Sequence, residues 1–424
     1  MRGPGPQGLQ GARQRRLNLR RNRATAILGL VALGLGLSAS PVLAASEAPA
    51  PHPDARAFTL VDANDGARLA ARAAHASLPM ASTTKLMTAY LALRRLPLGK
   101  TVVAPPYHPL PGESLMGLHA GERVSVHDLT YGLLLPSGND AAAALAVAVA
   151  GSIPAFVGEM NAAARRLGLR DTSYANPIGL DAPGEYSSPS DLVKLTLQLR
   201  RRRVFRRIVD TPRKTLAGAD PPTVVNRNDL VARYGWINGV KTGYTANAGN
   251  VLVASGTRGG VTLVSVVMGA RTEASRDADS LDLLRWGFSL YRPRTPVRDG
   301  QPLARTTVPN GARSGVRLVA ARAVTSSVRR GEGVEVHVDA RHSVPAPVHR
   351  GDRLGRAVVS VGGEPVGRSP LLAARSVGIA PQSWLADVDD AVPGPRGVVW
   401  ALVAAAAAAI AAGTAVAVIR WRRE

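Results

Sequence analysis

The chain has 424 residues, 46% of them apolar, enough for two or three packed domains and too much for wholesale disorder. It contains no cysteine, which removes disulfide scaffolds, thiolate metal sites and cysteine nucleophiles together. Its 53 basic and 30 acidic residues leave a net charge of +23, and only five of the bases are lysines (Lys85, Lys100, Lys194, Lys214 and Lys241), the other 48 being arginines. Where a positive charge alone is wanted this chain uses arginine, so each lysine asks for a reason.

The first 23 residues carry seven arginines and no acid, and lead into a 14-residue apolar run at 24–37 followed by small residues. That is the pattern of a secretory signal, so residues 1–45 are expected to be a cleaved signal peptide. Fourteen helical residues reach only about 21 Å, short of a bilayer core of about 30 Å. After a proline-rich lead-in, 57–61 and 67–71 flank Ala63-Asn64-Asp65-Gly66, a turn signal that predicts a hairpin. Residues 82–93 repeat with helical period, with Ser82 at the N-cap or in the first turn. Residues 126–170 are alanine- and leucine-rich and helical, broken at Pro136-Ser137-Gly138-Asn139, and Pro189-Ser190-Asp191 starts a further helix. That helix runs into Arg200–Arg203 with Arg206 and Arg207, read as a solvated helix end. Nucleic acid is excluded as a partner by export, which leaves anionic wall or lipid polymers for such a charge to attract.

Beyond residue 235 the period shortens to that of strands, at 237–240, 251–255 and 261–268, before an amphipathic helix at 279–291. Strands at both ends with helices between them predict an α+β domain over 46–293, its antiparallel sheet assembled from both ends of the segment and flanked by helices. Alternation in 334–338 and 358–361 predicts a small all-β domain at 294–379, and prolines stiffen a linker at 380–396. Residues 397–419 are 23 uncharged residues, about 34 Å as a helix, and are expected to form a C-terminal transmembrane helix with 420–424 as a cytoplasmic tail. The protein is then expected to be exported and anchored on the extracytoplasmic face of the cell membrane.

Three short motifs carry chemistry. In Ser82-Thr83-Thr84-Lys85 a three-residue offset puts hydroxyl and amine on one helical face. Serine needs a base to act as a nucleophile, and a lysine serves only when neutral, a state that burial and nearby positive charge favour and that arginine cannot reach. In Ser137-Gly138-Asn139 a hydroxyl can relay a proton and an amide can hold a carbonyl. In Lys241-Thr242-Gly243, expected at the end of a strand, glycine admits a substrate backbone while cation and hydroxyl can hold a carboxylate.

In this order, with Leu135-Pro-Ser-Gly-Asn-Asp-Ala141, the stretch from Gly179 to Ser188, Gly239-Val-Lys-Thr-Gly-Tyr-Thr245 and Arg285-Trp-Gly-Phe288, the motifs are those named for penicillin-binding proteins and class A β-lactamases. The chain resembles the low-molecular-mass penicillin-binding proteins, the serine D-alanyl-D-alanine carboxypeptidases. The likeness covers about residues 55–292, and more loosely that family's β-rich C-terminal domain over 295–377. It implies a β-lactamase/DD-peptidase-like fold and removal of the terminal D-alanine from peptidoglycan stem peptides, with β-lactams as covalent inhibitors. Ser82 would carry the acyl group, Lys85 act as base, Ser137 relay a proton to the leaving D-alanine, and Asn139 hold the peptide carbonyl. Backbone N–H groups of Ser82 and Tyr244 would form the oxyanion hole, Lys241, Thr242 and Gly243 would orient the substrate, and Arg276 aligns with a distal carboxylate clamp. No cofactor is implied, and the eight histidines show no metal-ligand spacing. The rival readings are a DD-endopeptidase cutting cross-links, a non-catalytic wall-binding protein, and a β-lactamase. The last needs a water-holding glutamate, which the stretch from Asp171 to Asn176 lacks, Glu159 and Glu185 standing at other offsets.

Overall fold

The computed structural model describes residues 49–217, 222–381 and 402–408. The predicted signal peptide lies outside these residues, as does most of the predicted linker.

Asx-type turns close the first hairpin: Asn64 N–H donates to the Asp62 carboxylate and Ala67 N–H to that of Asp65, each at 2.8 Å, so β1 (Ala57–Asp62) folds back as β2 (Arg68–Arg72). A 3₁₀ turn (Ala81–Thr84) then runs directly into α1 (Lys85–Arg95). Ser82 therefore sits inside that turn, two residues before Thr84, the N-cap of α1, where the sequence expects it at the N-cap or in the first helical turn. The short pair β3 (Thr101–Val103) and β4 (Arg123–Ser125) brackets a loop at 104–122, and α2 (Val126–Leu134), α3 (Asn139–Ala150) and α4 (Ile153–Arg166) follow. Gly151 ends α3 at φ 78°, and Ser152 caps α4, which adds a second break to the one expected at Pro136-Ser137-Gly138-Asn139. Next come α5 (Pro189–Arg200), which starts where its sequence predicts and is capped by Ser188, α6 (Arg203–Val209), the pair β5 (Arg213–Thr215) and β6 (Thr223–Val225), and α7 (Leu230–Arg233).

Three long strands follow: β7 (Ile237–Thr245), β8 (Gly249–Arg258) and β9 (Val261–Ala270). With the first hairpin they form one antiparallel sheet ordered β2-β1-β9-β8-β7, which joins both ends of the segment as expected. Its central strands are apolar on both faces. Val251 and Val253 of β8 pack toward the α1–α6 helices, while Leu252 and Ala254 pack toward α8 (Glu273–Ser289). The sheet is the middle of three layers, and the wall between its two cores carries the chemistry on one edge.

A second core lies in the β-rich C-terminal domain. There β10 (Tyr291–Val297) pairs with β13 (Val324–Arg329), and β11 (Pro302–Thr307), β12 (Gly315–Ala320), β14 (Val334–Ala340), β15 (Arg353–Val361) and β16 (Glu364–Ala373) form a sheet ordered β11-β12-β16-β15-β14. Val316, Leu318, Ala357, Val359 and Leu371 fill its interior. Arg329 of β13 meets Asp65 of the first hairpin at 3.2 Å, and Ser327 donates to the Gly259 carbonyl, so the two parts touch beside the β8–β9 turn.

The expected C-terminal span at 397–419 is corrected. The helix described there covers 402–408, about 10 Å at 1.5 Å per residue, and the rest of the stretch lies outside the described residues. Among the described residues no single helix is long and apolar enough to cross a membrane. Alanine favours helix but brings little apolar area per residue, and it makes up 11 of the 23 residues of this run. The expected membrane contact through that helix, and the anchored location drawn from it, fall with it. The one helix pair that passes by composition, α3 with α4, is bent by 82° and packs in the protein core.

Candidate active site

Of the five lysines, the two that are fully buried are Lys85 and Lys241. Lys85 opens α1, and its Nζ stands 3.0 Å from Ser82 Oγ and donates to the Ile178 carbonyl at 2.6 Å. Burial pushes its pKa down to about 7; Glu113 pulls it back up and Arg227 presses it further down. At neutral pH a large fraction of Lys85 is therefore a free amine within reach of a hydroxyl, the state needed to take its proton.

The turn holding Ser82 is set by what presses on it. Gly179 sits at φ 86°, and a Cβ there would come within 2.0 Å of the Ala81 carbonyl oxygen, so only glycine lets the 176–180 loop lie against the nucleophile turn. Asn176 holds that loop, its Oδ1 accepting from the N–H groups of Ile178 (3.1 Å) and Gly179 (2.6 Å). From the other side comes β7. A Cβ on Gly243 would lie 3.0 Å from both Ser82 N and Ala81 Cβ, which puts this strand's backbone directly against the serine's own amide. Lys241-Thr242-Gly243 thus lies well inside β7, paired with Val253, Leu252 and Val251 of β8, rather than at a strand end as its sequence suggests. The strand signal was missed there because lysine, threonine and glycine lack the apolar alternation that marks 237–240.

Lys241 donates from Nζ to the Thr242 carbonyl at 2.8 Å and has no acidic partner among the described residues. Burial first, then Lys85, Arg227 and Arg276, hold it well below its ordinary pKa. Thr242 is buried beside it, and Tyr244 is 65% exposed on the rim. Arg276, in the first turn of α8, is buried, and its guanidinium is engaged with Asp277 at 2.9 Å and Glu273 at 3.5 Å on its own helix.

Ser137 has φ 69°, a left-handed conformation unusual for serine, and its buried Oγ has no hydrogen-bond partner among the described residues. A strained backbone presenting an unpaired hydroxyl is a common signature of a functional group kept free for a ligand. Two positions on, the Asn139 side-chain amide donates to Glu113 Oε2 at 2.8 Å. Glu113 also accepts from the Tyr107 hydroxyl and from Leu110 N–H; burial raises its carboxyl, and these bonds outweigh it and leave it below the usual carboxylate range. Asp140 fastens the same loop, accepting from the backbone N–H groups of Met116, Gly117 and Leu118 at 2.8–2.9 Å.

Sequence reasoning missed Glu113, Arg227 and the Ile178 carbonyl. Glu113 lies in the proline- and glycine-rich stretch 104–122, whose shape has no periodicity to read. Arg227 is one arginine among 48. Glu185 stood at the wrong offset for a deacylating base, and it is buried with its oxygens taken by the Thr84 hydroxyl and by the N–H groups of Ala175 and Asn176.

Residues 44–272 match the family model of D-alanyl-D-alanine carboxypeptidases, and residues 291–378 match that of the penicillin-binding protein 5 C-terminal domain. Among curated proteins, the D-alanyl-D-alanine carboxypeptidase DacC of Escherichia coli is 35% identical over 353 residues, 77% of this chain and 85% of the relative. DacF of Bacillus subtilis is 30% identical over 76% of this chain and 85% of its own length. Among solved structures, penicillin-binding protein 5 of Haemophilus influenzae superposes with a TM-score of 0.55 at 30% identity, covering 78% of this chain and 99% of that one. The Streptomyces K15 DD-transpeptidase gives 0.54 at 31% identity, over 57% of this chain and all of its own. With its fold, its paired buried lysines and these matches, the chain belongs to the D-alanyl-D-alanine carboxypeptidase family.

Proposed function

We propose that this serine D-alanyl-D-alanine carboxypeptidase removes the terminal D-alanine from peptidoglycan stem peptides through an acyl-enzyme on Ser82. Ser82 Oγ attacks the carbonyl carbon of the D-Ala–D-Ala bond as Lys85 Nζ takes the hydroxyl proton. Charge gathers on the carbonyl oxygen, which the N–H groups of Ser82 and Tyr244 receive; the close seat of Gly243 on the Ser82 amide supports this pairing. Ser137, its hydroxyl unpaired, passes a proton to the departing amine, and the C–N bond breaks to free D-alanine. Lys85 then draws a proton from water, which opens the Ser82 ester and returns the shortened peptide.

The observation that carries this reading is the fully buried amine, lowered to about 7 and 3.0 Å from its hydroxyl. Lys241 supports the rest. Burial and nearby positive charge lower the Lys241 pKa, and a carboxylate beside it would favour its charged form, so the C-terminal carboxylate of the substrate completes its environment, with Thr242 beside it and Arg276 adding field. Asn139 holds the penultimate peptide carbonyl, oriented by Glu113. β-Lactams present a strained amide to the same serine and stay on it as esters. The catalytic part is assigned to 46–293 and the β-rich part to 294–379, a division supported by their separate cores.

Release of free D-alanine from a purified stem pentapeptide tests the proposal, together with mass mapping of the penicillin adduct. Loss of both in Ser82→Ala is the expected result, and a penicillin adduct on another residue contradicts it.

A further inference from the structure

The basic run that the active site does not use gathers around a cavity of about 950 Å³. Where α5 gives way to α6, Arg200, Arg201, Arg203, Arg206 and Arg207 all contribute to its wall. The opposite wall is the first hairpin's turn and the ends of β7 to β9, where Thr257 and Thr262 share a hydroxyl–hydroxyl bond of 3.0 Å. Five guanidiniums face two carboxylates there. Of those, Asp65 is already engaged by Arg329 at 3.2 Å and by Ala67 N–H, which leaves Asp210.

Arg200 is half-buried, and its guanidinium donates to Asn238 Oδ1 at 3.3 Å. Burial, and then Arg206, push it down to about 10, while Asp210 pulls it back up. Arg201, Arg203 and Arg207 are exposed, and their guanidiniums make no hydrogen bond or ion pair among the described residues. Holding so many like charges over one concavity with a single uncommitted acid, Asp210, is unfavourable unless a further anion shares it.

We propose that this cavity binds a phosphodiester polymer, several successive phosphates seated on the arginine forks. Guanidinium matches phosphate in a bidentate fork, and five of them over this volume suit repeated charges better than a single ion. A bilayer surface is the weaker occupant. The site is concave, and Leu197, the one large apolar side chain in its wall, is half-buried, so nothing there can insert among lipid chains. Such a polymer would hold the enzyme among wall anions at a place separate from its catalytic groups, whatever the details of catalysis.

Calorimetric titration of the full chain with poly(glycerol phosphate), at low and at physiological salt, tests this. The expected result is binding that weakens steeply with salt, as counterion release requires, and a loss of about tenfold or more in affinity for Arg203→Glu/Arg207→Glu. The control Arg305→Glu/Arg353→Glu changes net charge equally at exposed positions of the β-rich domain and is expected to cost little affinity. D-Alanine release stays unchanged in both, which reports an intact fold. Equal losses in the two variants, no binding at low salt, or binding to phosphatidylglycerol vesicles without binding to the polymer would each overturn the proposal.

Discussion

Glu113 accepts a 2.8 Å hydrogen bond from the side-chain amide of Asn139. A carboxylate can only accept, so this contact fixes which end of the amide is the nitrogen and turns its oxygen the other way. Glu113 is also the anion that most raises the pKa of Lys85. One residue in an aperiodic loop thus touches both substrate orientation and the base.

Glu113→Gln separates these effects. Removing the anion lets the Lys85 pKa fall further below about 7, so the acid limb of the kcat/KM profile moves to lower pH. The glutamine can turn its own NH₂ toward Asn139, and the lost orientation is expected to lower kcat/KM at its plateau by about tenfold. Steady-state kinetics across pH check both, and a limb that moves to higher pH contradicts the assignment.

Asp140 binds the same loop from beneath, through Met116, Gly117 and Leu118 N–H as well as Ala141 N–H. Asp140→Ala strands these donors, and hydrogen bonds to a charged acceptor are worth about 1.5–3 kcal/mol each before water replaces some of them. We expect a loss of about 2–4 kcal/mol in denaturant unfolding, with activity falling as Glu113 drifts from Asn139.

Gly243→Ala puts a methyl 3.0 Å from Ser82 N and 3.3 Å from the Met80 carbonyl oxygen. The strand must retreat by tenths of an ångström, which costs about 1–2 kcal/mol of stability and widens the oxyanion site. Acylation by a β-lactam should slow by about 10- to 100-fold while the melting transition stays cooperative. An unchanged acylation rate removes Gly243 from the oxyanion geometry.

The parts legible in the sequence are those with local rules. Asn64-Asp65-Gly66 announces its hairpin, Pro189-Ser190-Asp191 its helix start, and the retained lysines their chemistry, because arginine cannot fill a neutral buried slot. The parts that were not legible depend on distant partners. Glu113 acquires meaning only when Asn139 and Lys85 come near it, and the burial that lowers Lys241 is a property of the packed sheet edge. The run at 397–419 misled for the opposite reason, since length and absence of charge were read as apolar surface that alanine does not supply.

The base assigned to Ser82 is tested most directly by the pre-steady-state rate of acylation by a fluorescent β-lactam, followed in the full chain from about pH 5 to pH 9. Lysine must shed its proton before it can accept one, so the rate is expected to rise about tenfold per unit below about pH 7 and level off above it, and to fall about a thousandfold or more in Lys85→Arg. A rate that stays flat across this range, or a folded Lys85→Arg chain that acylates at the unaltered rate, would contradict the account.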